Sequence, residues 1–407
     1  MTSRQNTLLL ILILATVILS FLYLWFTVFP GKIDPWALQV FGTAQADKGR
    51  AYSLIPQLAY ILSFLTQVIF LGWFIFSGQI HNIANAAMRI SRGKESMSIL
   101  IVFITIWLIL KLLSFPFNFL SDYYWQHLWG VTNQSFGAWW IDDLKNSILD
   151  LGLSFLGVIL LFGMFKQWPK TWWMVGAAVF SGWLVIQTLL WPVVISPLFN
   201  HFTEVRDPQI ISMVNDLAQN AGLRIDKILV MDASRRTNKA NAYFTGVGTT
   251  QRIVLYDTLL KDYDQNEIQA VIAHEMAHWK YHHILKGLLL GVIGSILFWK
   301  ISFLVLNSFF PSGKYSPEAW PLFLFLIFIV SFLSNPLQNY VSRQMETQAD
   351  IEAVQLTKDV QSTIRLQIDL ATRNLSDVSP PSFIEWFGYT HPQVLTRVKT
   401  VEEWVKK

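Results

Sequence analysis

Residues 271–280, VIAHEMAHWK, put two imidazoles and a carboxylate within five positions. On an α-helix His274 and His278 lie one turn apart on one face, and Glu275 projects about 100° further round. This H-E-x-x-H pattern offers two neutral imidazole nitrogens to a zinc ion, leaves a position open for water, and sets Glu275 beside that water as a base. Five residues alone could match by chance, so a third ligand decides. Residues 343–350, RQMETQAD, supply one, because Glu346 and Asp350 again stand one helical turn apart. Glu346 is the expected third zinc ligand, and Asp350 is expected to orient a ligand from behind. A solvated acidic helix face is the plainer alternative for this pair. The expected cofactor is one Zn2+ per chain.

The elements that must hold these groups are legible around them. Asp264 and Glu267 have the spacing of a capping box, and Ile268, Val271, Ile272 and Met276 follow with helical periodicity, so the motif sits on a helix. Upstream, Asp207-Pro208 opens a helix that Gly222 closes, and residues 227–231, 242–245 and 252–256 read as short strands. The rest is a membrane protein: of 407 residues 53% are hydrophobic and 14% charged, with a mean hydropathy of +0.40. Seven apolar runs are long enough to span a bilayer, at residues 7–29, 57–77, 97–115, 148–165, 172–195, 287–310 and 320–340. The first is too long for a signal peptide, and Ala44-Gln45-Ala46 lies too far beyond it to be its cleavage site. Residues 31–51 read as a polar loop, 81–95 as an interfacial basic amphipathic piece, and 117–143 as a polar, aromatic connection. Pro116 is expected to stop the third span, and Pro192 and Pro197 the fifth.

The chain thus divides into membrane helices (1–198), a peptidase part carrying H-E-x-x-H (199–283), two further membrane helices (284–341) and a peptidase tail with the third ligand (342–407). With no cysteine there is no disulfide, no thiolate ligand and no cysteine nucleophile. The net charge of +4 is spread out, which speaks against a nucleic-acid partner. Between His278 and Glu346 the chain leaves through one span and returns through another, so both ligand helices end on the same side. The nine residues from His278 to Gly287 cover at most about 14 Å of helix, which puts the zinc at or inside the edge of the hydrocarbon. The partners are therefore the lipid bilayer and a peptide or protein substrate that is lipidated or membrane-embedded. Gln67, Gln187, Lys300, Asn307, Asn335, Gln338 and Asn339 fall within spans and either line a wet cavity or hydrogen-bond between helices. Nothing in the sequence signals an oligomeric state.

With these motifs in place the chain resembles the type 1 CAAX prenyl protease family of integral-membrane zinc endopeptidases. The resemblance covers most of the chain: besides HEMAH and ETQAD it takes in PLFNHFTEV (197–205), NAYFTG (241–246), RIVLYDTLL (252–260) and THPQVLTRV (390–398). It implies a mainly α, polytopic fold of seven transmembrane helices around a chamber, closed by a zincin-like α+β catalytic domain, and cleavage near the C-terminus of prenylated substrates. It also implies that Asn241, Ala242 and Tyr243 lie on an edge strand where substrate pairs, that His391 donates to the oxyanion, and that Arg397 braces acidic side chains. The short turn between the last spans fits a bacterial inner-membrane member, and a eukaryotic one would reside in the endoplasmic reticulum. The catalytic domain is expected to face the cytosol, on the resemblance alone, since charges flanking the spans divide almost evenly. A quality-control protease with no need of a prenyl group shares all of this chemistry. A non-catalytic zinc-containing scaffold would leave Glu275 without a task, and a transporter would leave the paired zinc motifs without one.

Overall fold

Hydrocarbon offers no hydrogen bonds, so a spanning segment must satisfy its own backbone, as a helix does. The computed structural model describes residues 3–246 and 251–406, and among them seven helices are long and apolar enough to cross a membrane. The first part of the chain forms α1 (Ser3–Val28), α2 (Pro35–Phe76), the short α3 (Gln79–Ile90), α4 (Glu95–Asn118), the one-turn α5 (Gln126–Leu128), α6 (Phe136–Gln167) and α7 (Trp172–Leu190). Next come β1 (Phe202–Glu204), α8 (Pro208–Ala221), β2 (Lys227–Met231), β3 (Ala242–Thr245), β4 (Arg252–Tyr256), α9 (Asp257–Asp262) and α10 (Gln265–Lys280). The chain re-enters the membrane in α11 (His283–Phe309) and α12 (Ala319–Thr357), then ends in α13 (Val360–Arg373), α14 (Ser382–Gly388) and α15 (Val394–Val405).

Three sequence expectations need correction. Residues 31–51 are not a loop: α2 starts at Pro35, capped by Asp34, whose carboxylate accepts from the Trp36 N–H at 2.7 Å. Two of its polar residues tie it to other segments, with Gln45 Nε2 donating to the Thr372 carbonyl at 3.0 Å and Arg50 to those of Gly31 and Ser379 at 2.8 and 2.7 Å. Pro116 does not stop α4, because the helix runs on to Asn118 and then widens into a π-helical stretch at Phe119–Trp125. Finally, the connection at 117–143 is largely helical, with α6 beginning at Phe136 behind a Ser135 cap.

Neighbouring spans pack in the succession α1, α2, α4, α6, α7, α11 and back to α1, with α12 against α1, α2 and α11. Their buried side chains gather at one end, where Leu71, Phe103, Ile106, Leu161, Trp172 and Leu306 share one core. Toward the other end burial falls away: α7 buries nothing after Ala177, α6 nothing between Trp139 and Val158, and α11 nothing between His283 and Ser295. The closed ring, densely packed at one end and loosely filled at the other, is a chamber that opens toward the α10 side. Most intramembrane polar groups have partners within the wall. Asn307 Oδ1 accepts from Tyr315 Oη, Asn335 donates to Tyr60 Oη, and Lys300 Nζ stands 4.4 Å from the centre of the Trp173 ring.

Over the open end lies a four-stranded sheet in the order β1-β2-β4-β3, with β2 and β4 parallel and the outer strands antiparallel. The helix α10 packs Ile268, Val271, Ile272 and Met276 against Val214 and Leu217 of α8, Ile253 and Leu255 of β4, and Leu366 of α13. This core fixes the helix that carries both histidines.

The closest helix contact in the wall is between α7 and α11, where a Cβ added at Gly176 would overlap the Trp299 ring. Gly176→Ala is expected to force the pair apart and cost about 1–3 kcal/mol, seen as a lower thermal unfolding midpoint in detergent. An unchanged midpoint would mean that this contact does not hold the wall together.

Candidate metal centre

The capping box closes at the start of α10: Asp264 accepts from the Glu267 N–H at 2.9 Å, and Glu267 accepts from the Asp264 N–H at 3.1 Å. Three turns on, the Nε2 atoms of His274 and His278 come within 3.2 Å of each other. Facing them is α12, which continues from its membrane span without a break and presents Glu346. One Glu346 carboxylate oxygen lies 3.1 Å from His274 Nε2 and the other 3.4 Å from His278 Nε2. A tetrahedral ion with bonds of about 2.0–2.1 Å would separate its donor atoms by about 3.3 Å. The three side chains meet that requirement as they stand, and all their donor atoms fall within 4.8 Å of one another.

The far sides of both imidazoles are also held. His274 Nδ1 lies 3.0 Å from Asp350 Oδ1, somewhat off the line of a straight hydrogen bond. Asp350, 1% exposed, is itself clamped by Arg397 of α15 through Nε at 2.7 Å and Nη2 at 2.6 Å, and Gln367 Nε2 approaches at 3.4 Å. With its Nε2 aimed at the cluster, His278 donates from Nδ1 to His283 Nδ1 at 2.9 Å, and His283 Nε2 donates to Gln348 Oε1 at 3.1 Å. Burial alone would lower the His274 pKa, but the adjoining Asp350 and Glu346 carboxylates outweigh it and push it up to about 10. Two buried carboxylates converging on one imidazole make a site that wants positive charge, as a divalent cation would supply.

Glu275 interacts electrostatically with both imidazoles and reaches β3, where it accepts from the Phe244 N–H. Burial raises its pKa above the ordinary glutamate range, and the two histidines oppose the shift. The chain returns at Tyr389–Gln393 to place His391 Nε2 3.2 Å from Glu346 Oε2, with half of the His391 side chain still open to the cleft.

The strand β3 is an edge. The Asn241 carbonyl accepts from the Tyr256 N–H at 3.0 Å, so Asn241, Tyr243 and Thr245 spend their backbone groups on β4. Ala242 and Phe244 therefore face outward, with the Ala242 N–H capped by Asn241 Oδ1 at 2.9 Å and the Tyr243 ring turned against Tyr256.

The structure thus gathers His274, His278, Glu346, Asp350, Arg397 and His391 at one point, with Glu275 and the Asn241–Tyr243 edge beside it. Sequence reasoning missed His283, Gln348 and Gln367. His283 is five residues past His278, which is no helical spacing. It reaches back only because His282 takes a left-handed conformation (φ 54°) that breaks α10 from α11.

Residues 204–405 match the family described as peptidase family M48, and residues 32–201 match the CAAX prenyl protease N-terminal region of five membrane helices. The uncharacterized metalloprotease YhfN of Bacillus subtilis is 29% identical over 283 residues, 68% of this chain and 66% of that protein. CAAX prenyl protease 1 of Saccharomyces cerevisiae is 29% identical over 314 residues, 72% and 69% of the two chains. The CAAX prenyl protease 1 homolog of Arabidopsis thaliana is 32% identical over 304 residues, 72% and 70% of the two. Each of these alignments spans about two thirds of the relative. In fold, the crystal structure of S. mikatae Ste24p superposes with a TM-score of 0.82 at 24% identity, covering 98% of this chain and 99% of that one. The chain belongs to peptidase family M48, as a membrane metalloprotease of the CAAX prenyl protease 1 type.

Proposed function

We propose that the chain is a zinc-dependent endopeptidase that hydrolyses a peptide bond near the C-terminus of prenylated, CAAX-type or otherwise membrane-associated substrates. One observation carries this reading: the triad His274, His278 and Glu346 has the spacing of a tetrahedral site and sits at the mouth of a membrane chamber, with Glu346 on a helix continuous with a span. The names of the yeast and plant relatives support the prenylated class. His274, His278 and Glu346 would hold the metal, with Asp350 and His283 fixing the imidazoles from behind. Zinc bound there supplies Lewis acidity toward the scissile carbonyl and toward water.

The other steps belong to the protein's own residues. Substrate backbone pairs with the free edge at Ala242, which leaves its side chains free to vary. Glu275, desolvated and therefore a stronger base than a surface glutamate, takes the proton of the attacking water and passes it to the leaving amine. His391, close to Glu346 and open to the cleft, donates to the developing oxyanion. Arg397 acts on geometry by holding Asp350 in place. The catalytic side faces the cytosol in this reading.

Three measurements test it. Glu275→Gln should lower kcat by at least about 10²–10⁴-fold while metal content stays at one ion per chain; activity that survives the change removes the proposed base. Asp350→Asn should weaken metal affinity about 10–100-fold, read by competition with a chelator. A farnesylated peptide should be cut in preference to its unprenylated twin, whereas equal cleavage would shift the reading to quality control of membrane proteins.

A further inference from the structure

Lys239 stands two residues ahead of Asn241 with its main chain fixed on both sides. Its N–H donates to Thr237 Oγ1 at 3.1 Å and its carbonyl accepts from Thr258 Oγ1 at 2.9 Å. The half-buried side chain reaches across to the membrane part, where Nζ stands 5.3 Å from the centre of the Tyr52 ring. That ring is immobilised: Tyr52 is buried, its hydroxyl donates to Gln126 Oε1 at 2.7 Å, and its carbonyl accepts from Trp125 Nε1 at 2.8 Å. Three cations of neighbouring segments have carboxylates. Arg236 pairs with Asp142 at 3.0 Å, Lys145 with the same residue at 3.6 Å, and Arg235 with Asp232 at 3.3 Å. Among the described residues Lys239 has no ion pair, and the ring face is its one charge-compensating contact. A rigidly presented, partly desolvated ammonium without an anion is a site for one.

The free edge of β3 says which anion. Antiparallel pairing is the commoner way for strands to meet, and a peptide so added to β3 runs its C-terminal end back past Asn241 toward Lys239. The bond to be cut lies level with Ala242 to Phe244, since the Phe244 N–H holds Glu275. Lys239 is three to five residues from there, about 10–17 Å of extended chain, and three peptide residues beyond the cut cover about 10 Å. Resting on the peptidase reading above, we propose that Lys239 binds the terminal α-carboxylate of the substrate and is the residue that senses a chain end three to five residues past the scissile bond.

The test uses the full chain, metal-loaded in detergent, and two peptides that differ only in ending as a free acid or a carboxamide three residues beyond the cut. The wild type should show a KM about tenfold or more lower for the acid, with kcat little changed. Lys239→Met, which keeps the apolar stem over Tyr52, should cleave the acid as poorly as the wild type cleaves the amide, and Lys239→Arg should restore the preference. Thermal unfolding checks that each variant is folded, and a merely structural role for Lys239 would leave the acid-to-amide ratio where it was. Equal handling of acid and amide by the wild type, or an undiminished preference in Lys239→Met, overturns the assignment and leaves the peptidase reading standing. No metal-dependent cleavage of either peptide by the wild type, with Glu275→Gln indistinguishable from it, defeats the peptidase reading and this assignment with it.

Discussion

Two carboxylates one turn apart on α12 are almost sealed from solvent, Glu346 at 7% and Asp350 at 1% exposed, and buried charge persists only where it is matched. Asp350 is matched by the two-pronged Arg397 and by His274, and Glu346 by the imidazoles of His274, His278 and His391. Meeting that demand requires α10, α12, the turn before α15 and α15 itself to converge from distant parts of the chain. The tail of the chain is held by this charge network together with apolar packing, in which Ile384, Phe387, Val398 and Val401 are all buried. The same arrangement that neutralises the acids presents two nitrogens and an oxygen at the spacing a metal needs.

A site of this kind must also be roofed against the membrane chamber without being sealed from it. The start of α2, which rises out of the wall, meets this need. Gln45 grips the Thr372 carbonyl in the last turn of α13 and Arg50 the Ser379 carbonyl after it, and Gly49 lets the segment between them approach so closely that any side chain there would collide with Ser376. On the opposite side the loop at Thr132 bridges to Thr237, and Asn238 donates to the Gly130 carbonyl at 2.8 Å. The catalytic part therefore rests on the membrane ring at supports that include these two.

Much of this was legible because the signals are local. The capping pair Asp264 and Glu267, the Asp207-Pro208 start and the Gly222 stop of α8, and the three strands after it were readable from adjacent residues, as were the pairs His274/His278 and Glu346/Asp350. What escaped the sequence depends on partners far along the chain. The segment 31–51 looks like a loop because Gln45 and Arg50 hold it to acceptors some three hundred positions away. Pro116 reads as a stop only until the π-helical stretch after it takes up the change. His283 is hidden by the left-handed His282, a conformation that no pattern of apolar residues announces. His391 and Arg397 stood out only through family resemblance, since a His-Pro turn and a helical arginine are common in any tail.

Because α12 is a single rod from inside the bilayer to the metal-binding carboxylate, it works as a lever. Pro336, the proline in its interior, is ten positions before Glu346, about 15 Å along the axis. A change of only about 4° in inclination above that point would carry the carboxylate about 1 Å sideways, enough to spoil a coordination polyhedron whose tolerances are a few tenths of an ångström. Spans adjust their inclination to the thickness of the hydrocarbon around them. The lipid composition of the surrounding membrane thus acts on the geometry of the catalytic centre through one continuous helix.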